Sequence, residues 1–212
     1  MRMVLEALAA SLLVSLPAVS EAWAQQVELG AYGIAVSNSE IDSLRGTRGL
    51  GLAVDARAER GRFRLELRGL TASLHADFSV QPDYALHELS ALASYVWGPR
   101  LWLQVGVARR FISPDFVAQE VGLLHVGVLS ETRLSSLAQI EAGASYYPLA
   151  RFSGGGGTGL ALGLGLGARV GRTTGRLHGI VEYTYERIDR KVNGAGAPIR
   201  FSVARVGLRA RL

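Results

Sequence analysis

Apolar and polar residues alternate along most of the chain from about residue 27 onward. In the segment 62–68, phenylalanine and leucine occupy the odd positions, and arginine and glutamate occupy the even positions. A period of two indicates a β-strand with two unlike faces, because successive side chains of a strand point to opposite sides. The same alternation recurs in segments 50–59, 88–97, 101–110, 139–146, 160–170, 177–186 and 205–212.

Two further segments are less regular. Val27–Val36 is predicted to be a strand, but the sequence does not show which of its alternate residues face inward. Val121–Leu129 is apolar at both odd and even positions, apart from His125. When both are counted, the sequence predicts ten strands; an eight-stranded arrangement is the alternative if the Val121 segment and one other strand are lost. An even number of strands brings both chain ends to the same side of a closed barrel.

Short turns and longer links alternate between these strands. Outer-membrane barrels have this asymmetry, with short periplasmic turns and longer extracellular loops. The sequence therefore predicts an all-β fold, a closed antiparallel up-and-down transmembrane β-barrel of ten strands over residues 25–212. The alternative is a soluble periplasmic barrel of lipocalin type, with apolar side chains inside and charges outside. Short turns fall at 59–61, 98–99, 130–133 and 172–175, and longer links at 37–47, 75–86, 111–119, 148–158 and 188–198.

The N-terminal residues have the features of a secretory signal peptide. Arg2 supplies a positive charge, Ala7–Val19 forms an apolar stretch, and Ala22 and Ala24 form an A-x-A cleavage site. The apolar stretch is shorter than the ~20 residues of a spanning helix, so cleavage is favoured over an N-terminal membrane anchor. The prediction is a signal peptide at 1–24, export through the inner membrane and a mature barrel in the outer membrane.

If the apolar parity faces lipid, the polar parity lines the interior of the barrel. Charges of both signs alternate there, and burial in a narrow interior demands that they pair. Barrels of about eight strands are filled by side chains, so a ten-stranded barrel is predicted to conduct little. The glycines at 163, 165 and 167 leave a narrow water path as an alternative. The predicted lumen charge network consists of Arg57, Arg64, Glu66, Arg68, Glu88, Glu141, Arg169, Glu182, Arg205 and Arg209.

Aromatic residues on the apolar parity cluster at strand ends. Ordinary strand preference explains aromatic residues in strands, but it does not explain why they gather where strands begin and end. The borders of an outer-membrane barrel are where an aromatic girdle meets the headgroups. The predicted girdle consists of Phe63, Tyr95 and Trp97 beside short turns, and of Tyr146, Tyr183 and Tyr185 toward the longer links.

The last eight residues carry a pattern of their own. It runs from Arg205 through Gly207 and Ala210 to the terminal Leu212. This order of a polar residue, a glycine, an apolar residue and a terminal apolar residue resembles the C-terminal signal of outer-membrane barrel proteins. The terminal residue of that signal is usually phenylalanine, so Leu212 departs from it. The resemblance implies recognition of these residues by the barrel-assembly machinery.

Composition narrows the range of functions. The net charge is +5, and the arginines are spread along the strands rather than gathered in a run, which argues against a nucleic-acid partner. The sequence contains no cysteine, which excludes a disulfide framework and cysteine-based metal or redox sites. It also lacks a phosphate-binding loop and a cluster with metal-ligand spacing, so no cofactor and no metal is predicted.

Some small barrels are enzymes, and two histidines bear on this question. His87 is followed two positions later by Leu89, where lipid A deacylases have the serine of a His-x-Ser pair. His75 and Asp77 weakly resemble the acid–histidine pairing of outer-membrane barrel proteases, but no further partner acid is evident. Without an assembled nucleophile or base, we predict no catalytic residues.

The sequence therefore predicts a non-enzymatic integral outer-membrane protein. Its expected role is envelope-structural or a surface interaction through its extracellular loops. The expected partners are outer-membrane lipid, lipopolysaccharide and the barrel-assembly machinery. Two alternatives stay open: a narrow channel for ions or small solutes, and a membrane-embedded lipid-modifying or proteolytic enzyme.

Overall fold

The described residues belong to one antiparallel sheet or to the connections between its strands. The predicted signal peptide, with its cleavage residues Ala22 and Ala24, lies outside the described residues. Within the described part of the chain, no helix has the length and the apolarity needed to cross a membrane. The computed structural model of the protein describes residues 26–40, 45–76, 83–113, 119–172 and 175–212.

Ten long strands and one short strand form the sheet. The short strand, β10, is a two-residue extension of the hairpin between β9 and β11. In chain order the strands are β1 (Gln26–Glu40), β2 (Arg45–Arg60), β3 (Phe63–Ala76), β4 (Tyr84–Val96), β5 (Leu101–Ser113), β6 (Val121–Arg133), β7 (Ala138–Phe152), β8 (Gly157–Val170), β9 (Leu177–Val192), β10 (Ala195–Gly196) and β11 (Ile199–Arg211).

The sheet closes on itself. Consecutive strands pair from β1 to β9, β9 pairs with β11, and β11 returns to β1, from Glu28–Arg211 to Glu40–Ile199. Closure removes the two edges that an open sheet would expose. The prediction of a closed ten-stranded antiparallel barrel is confirmed. The eight-stranded alternative is wrong, because the segment from Val121 forms the full strand β6.

The two ends of the barrel are distinct. The turn end carries the turns after β2, β4, β6 and β8, the start of β1 and the end of β11. The link end carries the other connections. The links predicted at this end are too long, because β1 continues to Glu40, β2 begins at Arg45 and β9 continues to Val192. The barrel wall therefore extends further than the sequence pattern indicated.

An apolar belt covers the exterior next to the turn end. On β3, Phe63 and Leu65 face outward and are 62% and 59% exposed, whereas Arg64 and Glu66 face inward and are buried. Such a distribution suits a sheet that is solvated by lipid on the outside and polar on the inside. The lipocalin-type alternative fails for this part of the barrel.

Toward the link end the distribution reverses. Further along β3, Leu70 and Leu74 face inward and are buried, while Ser73 faces outward and is exposed. In this part of β3 the apolar residues occupy even positions, whereas in the belt they occupy odd positions. A sequence pattern that follows only one of these two sets therefore ends before the strand ends. The inward-facing residues form the apolar core: Tyr32, Ile34, Val36, Ala53, Leu70, Ala72, Leu74, Tyr84, Leu86, Ile112, Ile180, Phe201 and Val203.

The hairpin of β7 and β8 is irregular near the link end. A bulge on β7 sets Tyr147 and Pro148 opposite the single residue His125 of β6. Proline has no N–H for a ladder, so a bulge tolerates it. Just beyond, the β7–β8 ladder ends with the pair Tyr146–Leu162. Residues of both strands meet again in a second buried apolar cluster: Val121, Leu123, Tyr147, Ala150, Phe152, Ala161, Ile188 and Ile199.

Candidate functional site: the charged barrel interior

Charged side chains fill the interior behind the apolar belt. The strands place them there because every second residue of a strand points to the same face. Their side chains are buried or largely buried, so each depends on partners of opposite charge. They form the charged zone: Glu28, Asp55, Arg57, Arg64, Glu66, Arg68, Arg169, Glu182, Arg205 and Arg209.

A buried ion pair joins Arg209 and Asp55, with 2.7 Å between Nη2 and Oδ2. The Tyr32 hydroxyl donates to Asp55 at 2.7 Å, and Arg209 Nε donates to that hydroxyl at 3.2 Å. Gly30 and Gly207 make room for the Tyr32 ring, since a Cβ at either position would come within 3 Å of it. These contacts tie β1, β2 and β11 together where the barrel closes.

Glu28 is surrounded by arginines. Its carboxylate lies 3.0 Å from Arg169, 3.6 Å from Arg211 and 4.0 Å from both Arg57 and Arg209. Arg169 donates to both carboxylate oxygens, the bidentate geometry that favours arginine over lysine. Because Glu28 is fully buried, this pairing is what makes its charge tolerable inside the barrel.

Glu66 is the second buried carboxylate that several arginines share. It lies 2.9 Å from Arg68, 3.4 Å from Arg57 and 3.8 Å from Arg209. Arg68 continues the network across the barrel to Glu182 of β9, at 3.2 Å. The charged zone is therefore one connected network rather than a set of separate pairs.

Arg64 extends the network toward the turn end. It contacts Glu59 and Glu131, both at 2.6 Å, and its guanidinium stacks 3.9 Å from the centre of the Trp102 ring. A cavity of about 180 Å³ lies beside this group and reaches His178. Arg64 thus joins strands β2, β3, β5 and β6 inside the barrel at the turn end.

A separate cluster borders the apolar core. Arg110 lies between Glu88, at 2.6 Å, and Glu186, at 2.8 Å. The Tyr147 hydroxyl donates to Glu186 at 2.9 Å, and the Arg110 guanidinium lies 3.5 Å from the centre of the Phe201 ring. Tyr147 and Phe201 belong to the two apolar clusters, so this is the level at which the charged interior gives way to an apolar one.

The predicted glycine-lined wall borders a cavity. Gly163, Gly165 and Gly167 of β8 line a space of about 120 Å³, together with His125 and Glu141. The Oε1 atom of Glu141 is buried and has no hydrogen-bond partner among the described residues. The cavity is therefore bordered by polar side chains on one side and by glycines, which have no side chain, on the other. Paired charges and apolar side chains flank it.

No protein family and no curated protein matches the sequence. Solved structures do match the fold. The outer membrane protease OmpT of Escherichia coli has a TM-score of 0.57 at 10% identity, covering 89% of this chain and 97% of that chain. The translocator domain of the autotransporter NalP of Neisseria meningitidis has a TM-score of 0.52 at 15% identity, covering 98% of this chain and 97% of that chain. At such identities the likeness concerns the fold alone.

The chain folds as an outer-membrane β-barrel. The belt, the closed sheet and the polar interior are the features that lipid imposes on a β-structure, since no open sheet edge is tolerated in hydrocarbon. The localisation predicted from the sequence, the outer membrane, is confirmed.

All ten residues of the predicted lumen network point into this outer-membrane barrel, and nine of them form ion pairs; Glu141 forms none with a described residue. The prediction missed Glu28, Asp55 and Arg110. Asp55 shares the parity of Arg57, so the alternation could have revealed it. Glu28 could not be found because the residues of β1 do not reveal which parity faces inward.

The six aromatic residues of the predicted girdle lie on the outside of the barrel. The rings of Phe63 and Tyr95 touch, with 5.2 Å between their centroids. No membrane boundary is resolved by these contacts, so the interfacial role stays a prediction. The residues lie at two levels: Phe63, Tyr95 and Trp97 next to the turn end, and Tyr146, Tyr183 and Tyr185 on the link side of the belt.

The residues of the C-terminal pattern lie where the barrel closes. Arg205 reaches into the charged zone, Gly207 faces Tyr32, and Ala210 pairs with β1. The backbone N–H of Leu212 donates to a carbonyl of β1 at 2.9 Å. These contacts give the pattern a place in the closed barrel, and its role as an assembly signal stays a prediction.

The two histidines singled out by the sequence, His75 and His87, lie on the outside of the barrel toward the link end. His75 contacts Asp83 at 2.7 Å on the surface of the link end, where the two side chains are 68% and 64% exposed. An exposed pair of this kind contributes little energy. Asp77, the partner suggested by the sequence, lies outside the described residues, and His87 faces outward, half-buried. In the ranges that the structure covers, no three acidic or histidine side chains are arranged to hold a metal.

Proposed function

We propose that the protein is a non-conducting outer-membrane barrel with an envelope-structural role and a surface-contact role at its link end. The observation that carries the proposal is the filling of the interior. Charged side chains such as Arg57 are buried behind the belt, and apolar side chains such as Leu74 are buried beyond it. A barrel filled along its length is suited to rigidity rather than to transport.

The proposed contact surface is the collar, the outward face of the strands between the belt and the link end. It includes Ser73 of β3, Arg187 and Asp189 of β9, and Arg200 of β11. The sequence suggested flexible loops for this role, whereas much of the collar is paired strand. A preordered surface loses less conformational entropy when it binds a partner.

The collar also bears on the expected partners. Exposed guanidinium groups such as Arg187 and Arg200 are suited to the phosphates of lipopolysaccharide, because arginine binds phosphate through two parallel hydrogen bonds. The belt is suited to the acyl chains of outer-membrane lipid. The C-terminal strand is the segment that we propose for recognition by the barrel-assembly machinery.

Complementation of a deletion strain tests the proposed role. We expect cells without the protein to become sensitive to detergent and to large antibiotics, and the unmodified protein to restore resistance. A triple variant, R187A/D189A/R200A, is expected to assemble normally, since these side chains are exposed, but to restore resistance only in part. The matched variant R187K/R200K keeps both charges but lacks the paired donors of arginine, so it is expected to restore resistance better than the triple variant and less well than the unmodified protein.

Two results would contradict this proposal. A deletion strain with an intact permeability barrier would remove the envelope-structural role. Full complementation by the triple variant would remove the collar from it. Heat-modifiable gel mobility of each variant checks that the barrel has formed, so that a folding defect is not mistaken for a loss of contact.

A narrow channel is the second candidate, and the cavities of about 120 and 180 Å³ on the two sides of the charged zone favour it. Single-channel recording in planar bilayers separates the two functions, with no steady current expected from the unmodified protein. If the charged zone alone closed the interior, R64A/R205A would open the barrel. With the apolar core beyond the charged zone, we now expect this variant to stay silent as well. A steady, ion-selective current from the unmodified protein would establish the channel instead.

A further inference from the structure

Every turn at the turn end carries exposed arginine. Arg62 follows β2, Arg100 precedes β5, Arg133 ends β6, and Arg172 and Arg176 flank the turn after β8. All five side chains are exposed. No aspartate or glutamate occurs in the turns themselves, which comprise residues 61–62, 97–100, 134–137 and 171–176. These five residues form the basic rim.

Backbone hydrogen bonds fix the position of this rim. The carbonyl of Arg62 accepts from Val96 of the next strand at 2.9 Å, and the carbonyl of Arg100 accepts from Glu131 at 2.9 Å. The carbonyl of Arg176 accepts from the backbone of β11 at 2.7 Å. Arg62, Arg100 and Arg176 are therefore each held by a backbone hydrogen bond to the strand beyond them.

Some of the exposed charges of the link end are paired with each other. There, Arg187 pairs with Asp189 at 2.9 Å and Arg109 with Glu120 at 3.5 Å. Among the described residues, no carboxylate lies within 4.0 Å of any rim arginine. Five guanidinium groups without a carboxylate partner among the described residues therefore stand together at the turn end.

The rim also borders the apolar belt. Arg62 donates to the Tyr95 hydroxyl at 3.2 Å, and Tyr95 stacks against Phe63 on the outer surface. Trp97 is 69% exposed beside Arg100. Guanidinium groups at the edge of an apolar surface extend to the level of lipid headgroups while the belt contacts the acyl chains.

We propose that the basic rim binds the phosphate groups of anionic phospholipids in the leaflet that meets the turn end. Surface arginines in general are only solvated, but these have no carboxylate partner among the described residues and border the apolar belt. Guanidinium forks match phosphate oxygens in pairs. In an outer-membrane barrel the short turns face the periplasm, so the leaflet concerned is the one made of phospholipid. The rim would hold the barrel at a fixed depth and select an anionic lipid shell.

Tryptophan quenching tests this proposal directly. In a Trp23→Phe/Trp102→Phe background, Trp97 is the sole tryptophan and lies within the rim. The full barrel is reconstituted into vesicles that contain either brominated phosphatidylglycerol or brominated phosphatidylcholine. We expect the anionic lipid to quench with an apparent affinity about fivefold higher, the factor for about 1 kcal/mol per arginine near an anionic surface. The preference should weaken as salt is added.

Two variants locate the effect. R62Q/R100Q should bring the ratio of the two affinities close to one. The matched control R151Q/K191Q removes two exposed cations from the link end and should leave the ratio unchanged. Equal quenching by both lipids in the parent protein would overturn the proposal, and so would a preference that survives R62Q/R100Q or disappears in the control variant.

A further measurement separates lipid from free phosphate. Inorganic phosphate and chloride are compared at equal ionic strength. If lipid is the ligand, the preference for brominated phosphatidylglycerol should weaken but persist in both salts, because the headgroups are concentrated at the membrane surface. Complete loss of the preference in inorganic phosphate but not in chloride would assign the rim to a soluble phosphate and overturn the lipid proposal. These outcomes are independent of the permeability assay for the collar, so either proposal can fail alone.

Discussion

Strand β3 is built in opposite ways at its two ends. Near the turn end, Leu65 faces outward and is exposed, while Glu66 faces inward and is 2% exposed. Nine residues beyond Leu65, Leu74 faces inward and is 0% exposed, and its neighbour Ser73 faces outward. The backbone pairing continues without a break between them. The strand is the same, but its outward side chains are apolar at one end and polar at the other.

The comparison shows what decides the inside of a barrel. Where the outer face meets lipid, apolar side chains gain nothing from facing inward, and paired charges can occupy the interior. Where the outer face meets water, burial of apolar surface drives an ordinary core. The soluble lipocalin-type arrangement, wrong for the belt, describes the collar. One barrel thus has a charged interior next to the turn end and an apolar interior toward the link end.

Deletion of residues 210–212 should disrupt the part of the barrel that carries the belt more severely than the part that carries the collar. It removes the last pairs of β11 with β1 and the hydrogen bonds of Arg211 and Leu212 near the rim, but leaves the pairing in the collar. We expect most of the protein to stay unassembled in the periplasm, as cell fractionation and gel mobility would show. Leu212→Phe, the matched change, should be tolerated. Normal assembly of the shortened chain would disprove the prediction.

Arg209→Leu should destabilise the charged zone strongly. It leaves Asp55 buried without its 2.7 Å partner, and removal of one member of a buried pair typically costs about 3–5 kcal/mol. Urea unfolding in lipid vesicles measures the loss. The double variant R209L/D55L removes both charges and should recover much of the stability. If the double variant is as unstable as the single one, electrostatic pairing is not the main stabilising term.

A charged substitution on the outer face should show, through its effect on the free energy of unfolding, whether that position contacts lipid. Leu67→Arg places a cation against hydrocarbon within the belt, on an exposed outward side chain, and should cost about 2–4 kcal/mol if it lies near the bilayer midplane. His75→Arg, on the same face of the same strand and nearer the link end, where the side chain is 68% exposed, should change the free energy of unfolding by less than about 0.5 kcal/mol, as expected for a surface substitution. Equal effects in vesicle unfolding experiments would mean that the belt and the collar meet the same solvent.

The smallest expected effect concerns the girdle. The rings of Phe63 and Tyr95 are 5.2 Å apart, and such aromatic pairs contribute about 0.5–1.5 kcal/mol beyond their buried area. A double-mutant cycle with Phe63→Leu and Tyr95→Leu should yield a coupling energy in this range. Additive effects would show that the two rings act independently at the border of the belt.

The sequence predicted the belt half well. Alternation is strongest where one face meets lipid and the other a polar interior, so segments such as 62–68 revealed both the strand and its inward charges. The collar was harder to predict because its apolar residues change parity between Leu67 and Leu70 of β3. An alternation that keeps apolar residues at odd positions ends where they switch to even positions. The remainder of the strand was therefore interpreted as a long link.

Some features of the charged zone depend on tertiary structure. The alternation placed Glu66 and Arg68 inside, but not the contact of Arg68 with Glu182 across the barrel. That contact depends on the tilt and stagger of the strands, which closure sets and sequence does not display. Tyr32 was missed for the same reason, since only pairing with β11 reveals that Gly207 leaves space for its ring.

The seam between β1 and β11 governs the order of folding. Arg209 and Tyr32, which meet at 3.2 Å, are separated by 177 positions along the chain. Contacts of such high sequence separation form slowly, because much chain entropy is lost before they contribute energy. The first strand has no partner on one side until the last strand has been synthesised. During that interval the chain exposes an unpaired edge and an apolar outer face, both of which promote aggregation. We therefore expect the chain to be most prone to aggregation in the interval before β11 pairs with β1.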